Sequence, residues 1–154
     1  MNFSFEKFLE ILNAVGVRYF IIAGVMFALF YKFLCPGIGK YKIQSAFPSQ
    51  KDYIREISYS FLSMVIFALI VTAIVFNPAI RPHTTIYKEI SVFGWMYYFL
   101  AFPIMLVFHD TYFYWIHRLM HLPLLFKWVH LIHHKSTNPS PWAAYAFHPI
   151  EAIM

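Results

Sequence analysis

Apolar positions in this chain fall in long runs, without the alternation that marks a half-buried strand or the three-to-four spacing of a one-faced helix. Residues 57–80, ISYSFLSMVIFALIVTAIVFNPAI, carry no charged side chain between Glu56 and Arg81. Residues 90–108, ISVFGWMYYFLAFPIMLVF, are interrupted only by Pro103. Residues 19–35, YFIIAGVMFALFYKFLC, follow Arg18 and include Lys32. A helix of about 20 mostly apolar residues crosses a bilayer, so the pattern predicts three transmembrane helices. Pro103 is expected to kink its helix without ending it, because neighbouring helices re-satisfy the freed carbonyl. Lys32 lies close enough to an end for its ammonium to reach the headgroups. Residues 36–53, PGIGKYKIQSAFPSQKDY, open with Pro36, Gly37 and Gly39 and read as a loop.

Composition supports the membrane reading. Apolar residues make up 60% of the 154 and aromatics 21%, against about 45–50% apolar in soluble domains. A soluble domain this small cannot hide so much apolar surface. The fold class expected is all-α, a multi-pass transmembrane helical protein. Two regions are expected: residues 1–89 with the first two spans, and residues 90–154 with the third span and a histidine-rich segment. The formal charge of +5 comes from scattered basic residues, which excludes a nucleic-acid face. Eight of the twelve Lys and Arg fall in the first loop and after the third span: Lys32, Lys40, Lys42, Lys51, Arg55, Arg118, Lys127 and Lys135. The positive-inside bias puts those segments in the cytoplasm and the N-terminus outside. Single Cys35 permits no internal disulfide and no cysteine-only metal cluster. The N-terminus has Glu6 and Glu10 and no basic leader region, so no cleaved secretory signal is expected.

Candidate chemistry lies in HDTYFYWIHRLMHLPLLFKWVHLIHH, residues 109–134, which hold six of the eight histidines. On a helix running on from the third span to about Leu122, His117 and His121 are four apart and share a face. Asp110 and Tyr114 fall on the same stripe. After Pro123, His130 and His134 repeat the four-residue spacing, with His133 beside them. Two short helices can therefore aim five imidazoles at one point, and five uncompensated imidazoles would repel each other on protonation. Metal binding is the expected role of His117, His121, His130, His133 and His134; His83 reads as interfacial, and His109 as interfacial or as a support behind the ligands. Imidazole suits iron, zinc, copper and nickel, and a structural zinc site takes only four ligands. A membrane zinc protease needs H-E-x-x-H, whereas here HRLMH has Arg118 in place of the glutamate. A bis-histidine haem needs ligands on well-separated facing helices. A non-haem iron centre activating dioxygen at the membrane surface fits best.

These residues resemble the fatty acid hydroxylase / sterol desaturase superfamily of integral-membrane non-haem di-iron enzymes. HDTYFYWIHRLMH is similar to its D-x-x-x-Y-W-x-H-R-x-x-H stretch through Asp110, Tyr114, Trp115, His117, Arg118 and His121. WVHLIHH is similar to its H-x-x-H-H box, and AAYAFHPIE to the A-x-x-x-H-P-x-E that follows, with His148, Pro149 and Glu151. The resemblance implies dioxygen-dependent hydroxylation or desaturation of a membrane lipid, with electrons from a separate redox protein. It implies two irons held on the cytoplasmic face, with His148 either a further ligand or the start of the next helix. Asp110 is then expected to orient a ligand by accepting a ring N–H, with Tyr114 alongside. Arg118 pairs with Asp110 or reaches the headgroups. Family members continue to another H-x-x-H-H box, whereas this chain ends at Met154. The resemblance therefore implies an N-terminal portion whose iron ligands are completed elsewhere, by a second chain in an assembly, or an inactive fragment. A non-catalytic histidine-rich membrane protein that binds a transition metal is the reading of a different class.

Overall fold

A computed structural model of the chain describes residues 4–34, 37, 44 and 46–154. Cys35, Pro36, Gly39, Lys40 and Lys42, on which parts of the loop and charge readings rest, lie outside them. The described residues are helical, with no strand among them. Three helices are long and apolar enough to cross a membrane: Phe5–Phe33, Gln50–Val75 and Gly94–Met120.

Helix α1 (Phe5–Phe27) runs directly into a π-helical turn, Ala28–Phe33. The span expected over 19–35 is thus the second half of a longer helix. Glu6, Lys7 and Glu10 are polar but compatible with a helix, and Lys7 pairs with Glu10 at 2.7 Å. Ser4 supplies the cap, its hydroxyl accepting from the Lys7 N–H at 3.3 Å.

Helix α2 (Gln50–Val75) begins before the expected 57–80 and stops short of it. Ser49 and Asp52 form a reciprocal capping box, so the helix starts among polar residues that the loop reading had claimed. It ends before Asn77-Pro78, where the Asn77 side chain accepts from the Ala79 N–H at 3.0 Å. Helix α3 (Gly94–Met120) is a single element that runs through Pro103 as expected. A 3₁₀ turn at Ile90–Val92 precedes it, so the helix begins later than the expected span. Gly94 enters with φ +80°, a left-handed conformation that only glycine takes without strain.

Leu122 is extended and the chain reverses. Helix α4 (Pro123–Leu125), a π turn (Phe126–His130) and α5 (Leu131–His134) follow. A strap then leads through a 3₁₀ turn (Pro141–Tyr145) to α6 (Pro149–Ile153).

Helices α1 and α2 are antiparallel. Lys7 lies over the Phe76 ring at one end, and Phe27 meets Tyr53 edge-on at the other. The buried face of α2 is made of Glu56, Ser60, Ser63, Met64, Ala68 and Thr72, while Phe61, Leu62, Leu69, Val71 and Ile74 face outward. That is inverted relative to a soluble helix and is what lipid demands. With hydrocarbon outside, burying apolar bulk gains little, and small residues let backbones approach.

Into the α1–α2 groove the strap inserts Trp142 and Tyr145 against Tyr19, Ala23 and Met64. The Trp142 ring lies close against α1 at Gly24, where a Cβ would meet it at 3.6 Å, an ordinary van der Waals contact. Buried loop backbone must have its polar groups satisfied. The Trp142 carbonyl accepts from both Tyr19 Oη (2.6 Å) and Ser60 Oγ (2.9 Å). Within residues 136–142, expected to be an ordinary loop, Ser140 is buried and Trp142 packs against the core, whereas Thr137 and Pro139 stay exposed. Gln44 donates to the Thr137 carbonyl, Asn138 to that of Ala46, and Arg55 to that of Lys135. The α1–α2 connection and the histidine segment thus sit at the same end of the hairpin, as the charge pattern implied.

Candidate metal centre

Three elements deliver the histidines: the end of α3, the π turn and α5. His117 lies in the last turn of α3 and His121 caps it, the helix ending there because Pro123 disfavours helical backbone at the residue before it. The π turn then rotates His130 inward until it is fully buried. Such turns are frequent at functional sites because they re-aim one side chain. Helix α5 brings His133 and His134.

Nitrogen atoms of His117, His121 and His130 all lie within 4.8 Å of one another. The His117 and His121 Nε2 atoms are 3.0 Å apart. Two nitrogens about 2.1 Å from a common ion, at right angles, stand about 3.0 Å apart, so this spacing suits neighbouring ligands of one metal. The His134 ring approaches His121 at 5.0 Å and His130 at 4.7 Å between centroids. Four imidazoles therefore converge. His133 stands to the side, 5.3 Å from His130 and stacked on Phe147.

His130 is the most constrained member. Its Nδ1 lies within hydrogen-bond distance of Glu151 Oε1, at 2.9 Å, and both side chains are buried. Its Nε2 is buried without a hydrogen-bond partner. Burial, then the neighbouring imidazoles, push the His130 pKa down to about 4, so the ring is neutral near pH 7. His133 is lowered for the same reasons, burial first. Burial pushes the Glu151 carboxyl up to about 7. A neutral ring with one nitrogen engaged and the other bare is what a metal ligand must offer. The donor set fits a transition ion.

The other candidates are placed differently. The Asp110 carboxylate lies 3.2 Å from the His109 ring, out on the exposed face of α3. Tyr114 Oη accepts from Arg118 at 3.1 Å, and the same guanidinium lies over Trp115. His148 starts α6, its Nδ1 accepting from the Ile150 N–H at 3.3 Å. Glu151 was legible only as a letter in HPIE, and its reach back to His130, 21 positions away, has no local signal. A cavity of about 370 Å³ opens beside His133, walled by Pro139, Pro141 and Ala144.

Comparison with known proteins bears on the same residues. The fatty acid hydroxylase family profile matches residues 102–154. A Delta(7)-sterol 5(6)-desaturase of Gibberella zeae is 41% identical over 100 residues, covering 65% of this chain and 31% of the relative. One from Aspergillus fumigatus is 38% identical over 103 residues, covering 67% and 32%. The lathosterol oxidase of Rattus norvegicus is 34% identical over 102 residues, covering 65% and 34%. The chain thus spans about a third of the length of these curated relatives. No solved structure matches it. On the histidine-bearing segment and these relatives together, the chain belongs to the fatty acid hydroxylase / sterol desaturase superfamily.

Proposed function

We propose that this chain forms the first part of a membrane-embedded di-iron centre that oxidises a sterol with dioxygen, with the introduction of a 5(6) double bond as its reaction. The observation that carries the reading is the convergence of His117, His121, His130 and His134 at the end of a membrane-spanning helix. The relatives' names supply the substrate class. His117, His121, His130 and His134 hold iron, with His133 at the cavity side and His148 at the edge. Four imidazoles saturate little more than one ion, so a second iron draws on ligands outside this chain.

Iron bound there would supply reductive activation of dioxygen. Desaturation removes two hydrogens from adjacent carbons, and with two electrons and two protons from a separate redox protein reduces dioxygen to two waters. The protein's own part is to keep the imidazoles neutral and fixed. The apolar outer faces of the helices let a lipid reach the site from the bilayer, and the cavity at His133 is the entry this arrangement favours. The histidine segment faces the cytoplasm on the charge pattern.

The test uses the purified complete assembly, this chain together with the part that supplies the remaining ligands, in nanodiscs with iron, a reducing system and a Δ7 sterol. Adding a 5(6) double bond to a 7(8) one makes a conjugated diene, which near-ultraviolet absorbance detects. The expected result is diene formation that His121→Ala and His134→Ala each abolish, together with loss of bound iron. Iron binding without turnover in a complete assembly would favour the metal-holding reading. Turnover unaffected by both substitutions would remove these histidines from the centre.

A further inference from the structure

The histidine cluster has a carboxylate behind it that the ligand set does not include. Glu151 comes from α6, beyond the strap, and its burial against His130 ties α6 to the cluster. The His130 side chain is fully buried and that of Glu151 is 5% exposed, at 2.9 Å. Helix α6 is fixed independently: His148 caps it, the His148 carbonyl accepts from the Ala152 N–H at 2.9 Å, and Ala152 is buried. Tyr112 Oη on α3 donates to the Met154 carbonyl at 2.6 Å, holding the far end of α6 against the helix that carries His117 and His121. Glu151 is thus held from both sides of its own short helix.

We propose that Glu151 is the positioning residue of the metal centre: it fixes His130 as the Nδ1–H tautomer and turns Nε2 toward His117 and His121. This deepens the metal-centre reading and rests on it. An imidazole has one N–H and one lone pair when neutral, so engaging Nδ1 as donor decides that Nε2 is the ligand atom. Either protonation state of the carboxyl leaves an oxygen to accept from Nδ1–H. A carboxylate behind a metal-bound histidine also raises the basicity of the ligand. The second oxygen, Oε2, is buried without a partner. Among the described residues, none of the other four clustered imidazoles has a carboxylate within hydrogen-bond distance, so His130 is the one whose orientation a carboxylate specifies before any ion arrives.

Two variants separate the possibilities. Glu151→Gln keeps a carbonyl to accept from Nδ1–H, and Glu151→Leu removes it. In the metal-free protein, ¹⁵N-histidine NMR, with His130→Gln to assign the signal, reads the tautomer directly. The parent and Glu151→Gln are expected to show His130 as Nδ1–H only, and Glu151→Leu a mixture. Titration with ferrous or cobaltous ion against a chelator should show affinity about 10–100-fold lower for Glu151→Leu. Glu151→Gln should restore most of it. Parent-like tautomer and affinity in Glu151→Leu would overturn the assignment. So would a parent protein whose His130 carries its proton on Nε2. If the parent binds no metal while His130 is Nδ1–H and depends on Glu151, the metal-centre reading fails and the positioning contact stands. Helix content by circular dichroism, unchanged in both variants, excludes simple unfolding.

Discussion

Glu56 is a charged-type side chain on a membrane helix, fully buried, and its partner explains it. Oε2 accepts from Ser140 Oγ at 2.5 Å and from the Ser140 N–H at 3.4 Å. The contact latches the strap to α2 at the point where the strap enters the groove. Replacing Glu56 by alanine leaves a buried hydroxyl and amide unpaired, costing about 1–3 kcal/mol. Glu56→Gln keeps an acceptor and is expected to cost less than half as much, read from unfolding in mixed micelles with increasing denaturing detergent. Equal losses in the two variants would show that the hydrogen bond is not what holds the strap. Residue spacing explains what the sequence could reveal. His117/His121 and His130/His134 advertise themselves because a helix turns four-residue spacing into contact. Glu56 and Ser140 are 84 positions apart and Tyr19 and Trp142 are 123 apart, and no local pattern encodes either meeting.

At the scale of elements, hydropathy finds the part of a helix that lies in lipid, whereas capping chemistry finds where the helix ends. The charge-free run from Ile57 located α2 but not its first two turns, which are largely polar and begin at a capping box. The S-x-x-D of Ser49 and Asp52 was there to be read. Asn77-Pro78 likewise marked the exit inside a run that hydropathy alone carried to Ile80. The first turn of α2 matters because Arg55, one turn past the cap, pairs with Asp52 at 2.8 Å and donates to Lys135 and Ser136. Fraying there would release the start of the strap. Ser49→Ala is expected to cost about 1 kcal/mol and to speed amide exchange over residues 50–55 without reaching the middle of α2. Unchanged exchange there would show that tertiary contacts, not the cap, fix the start. The π turn at Phe126–His130 was not legible at all, since a π turn differs from an α turn by one hydrogen-bond register and leaves no compositional mark.

The whole molecule divides unevenly. Helices α1 and α2 clasp the strap, whereas the apolar spanning window of α3 has no buried residue until Met120. Helix α3 meets the rest at its last turns, through Met120, the His117 and His121 rings, and the Tyr112–Met154 hydrogen bond. Lipid can cover its length, but among the described residues no buried side chain along the spanning window fixes its angle to the α1–α2 hairpin. The histidine cluster is therefore a joint as well as a site: two of its rings belong to α3 and two to the segment anchored by the strap. The metal proposed for this site would tie α3 to the body by bonds stronger than the ring and hydrogen-bond contacts made there. Chelating the metal is expected to raise amide exchange over residues 117–134 and to leave α1 and the middle of α2 unchanged. A His121→Ala, His134→Ala double variant should exchange like the chelated protein whether or not metal is added. Equal protection with and without metal would mean that packing at Met120 already holds α3. The ion would then serve chemistry alone.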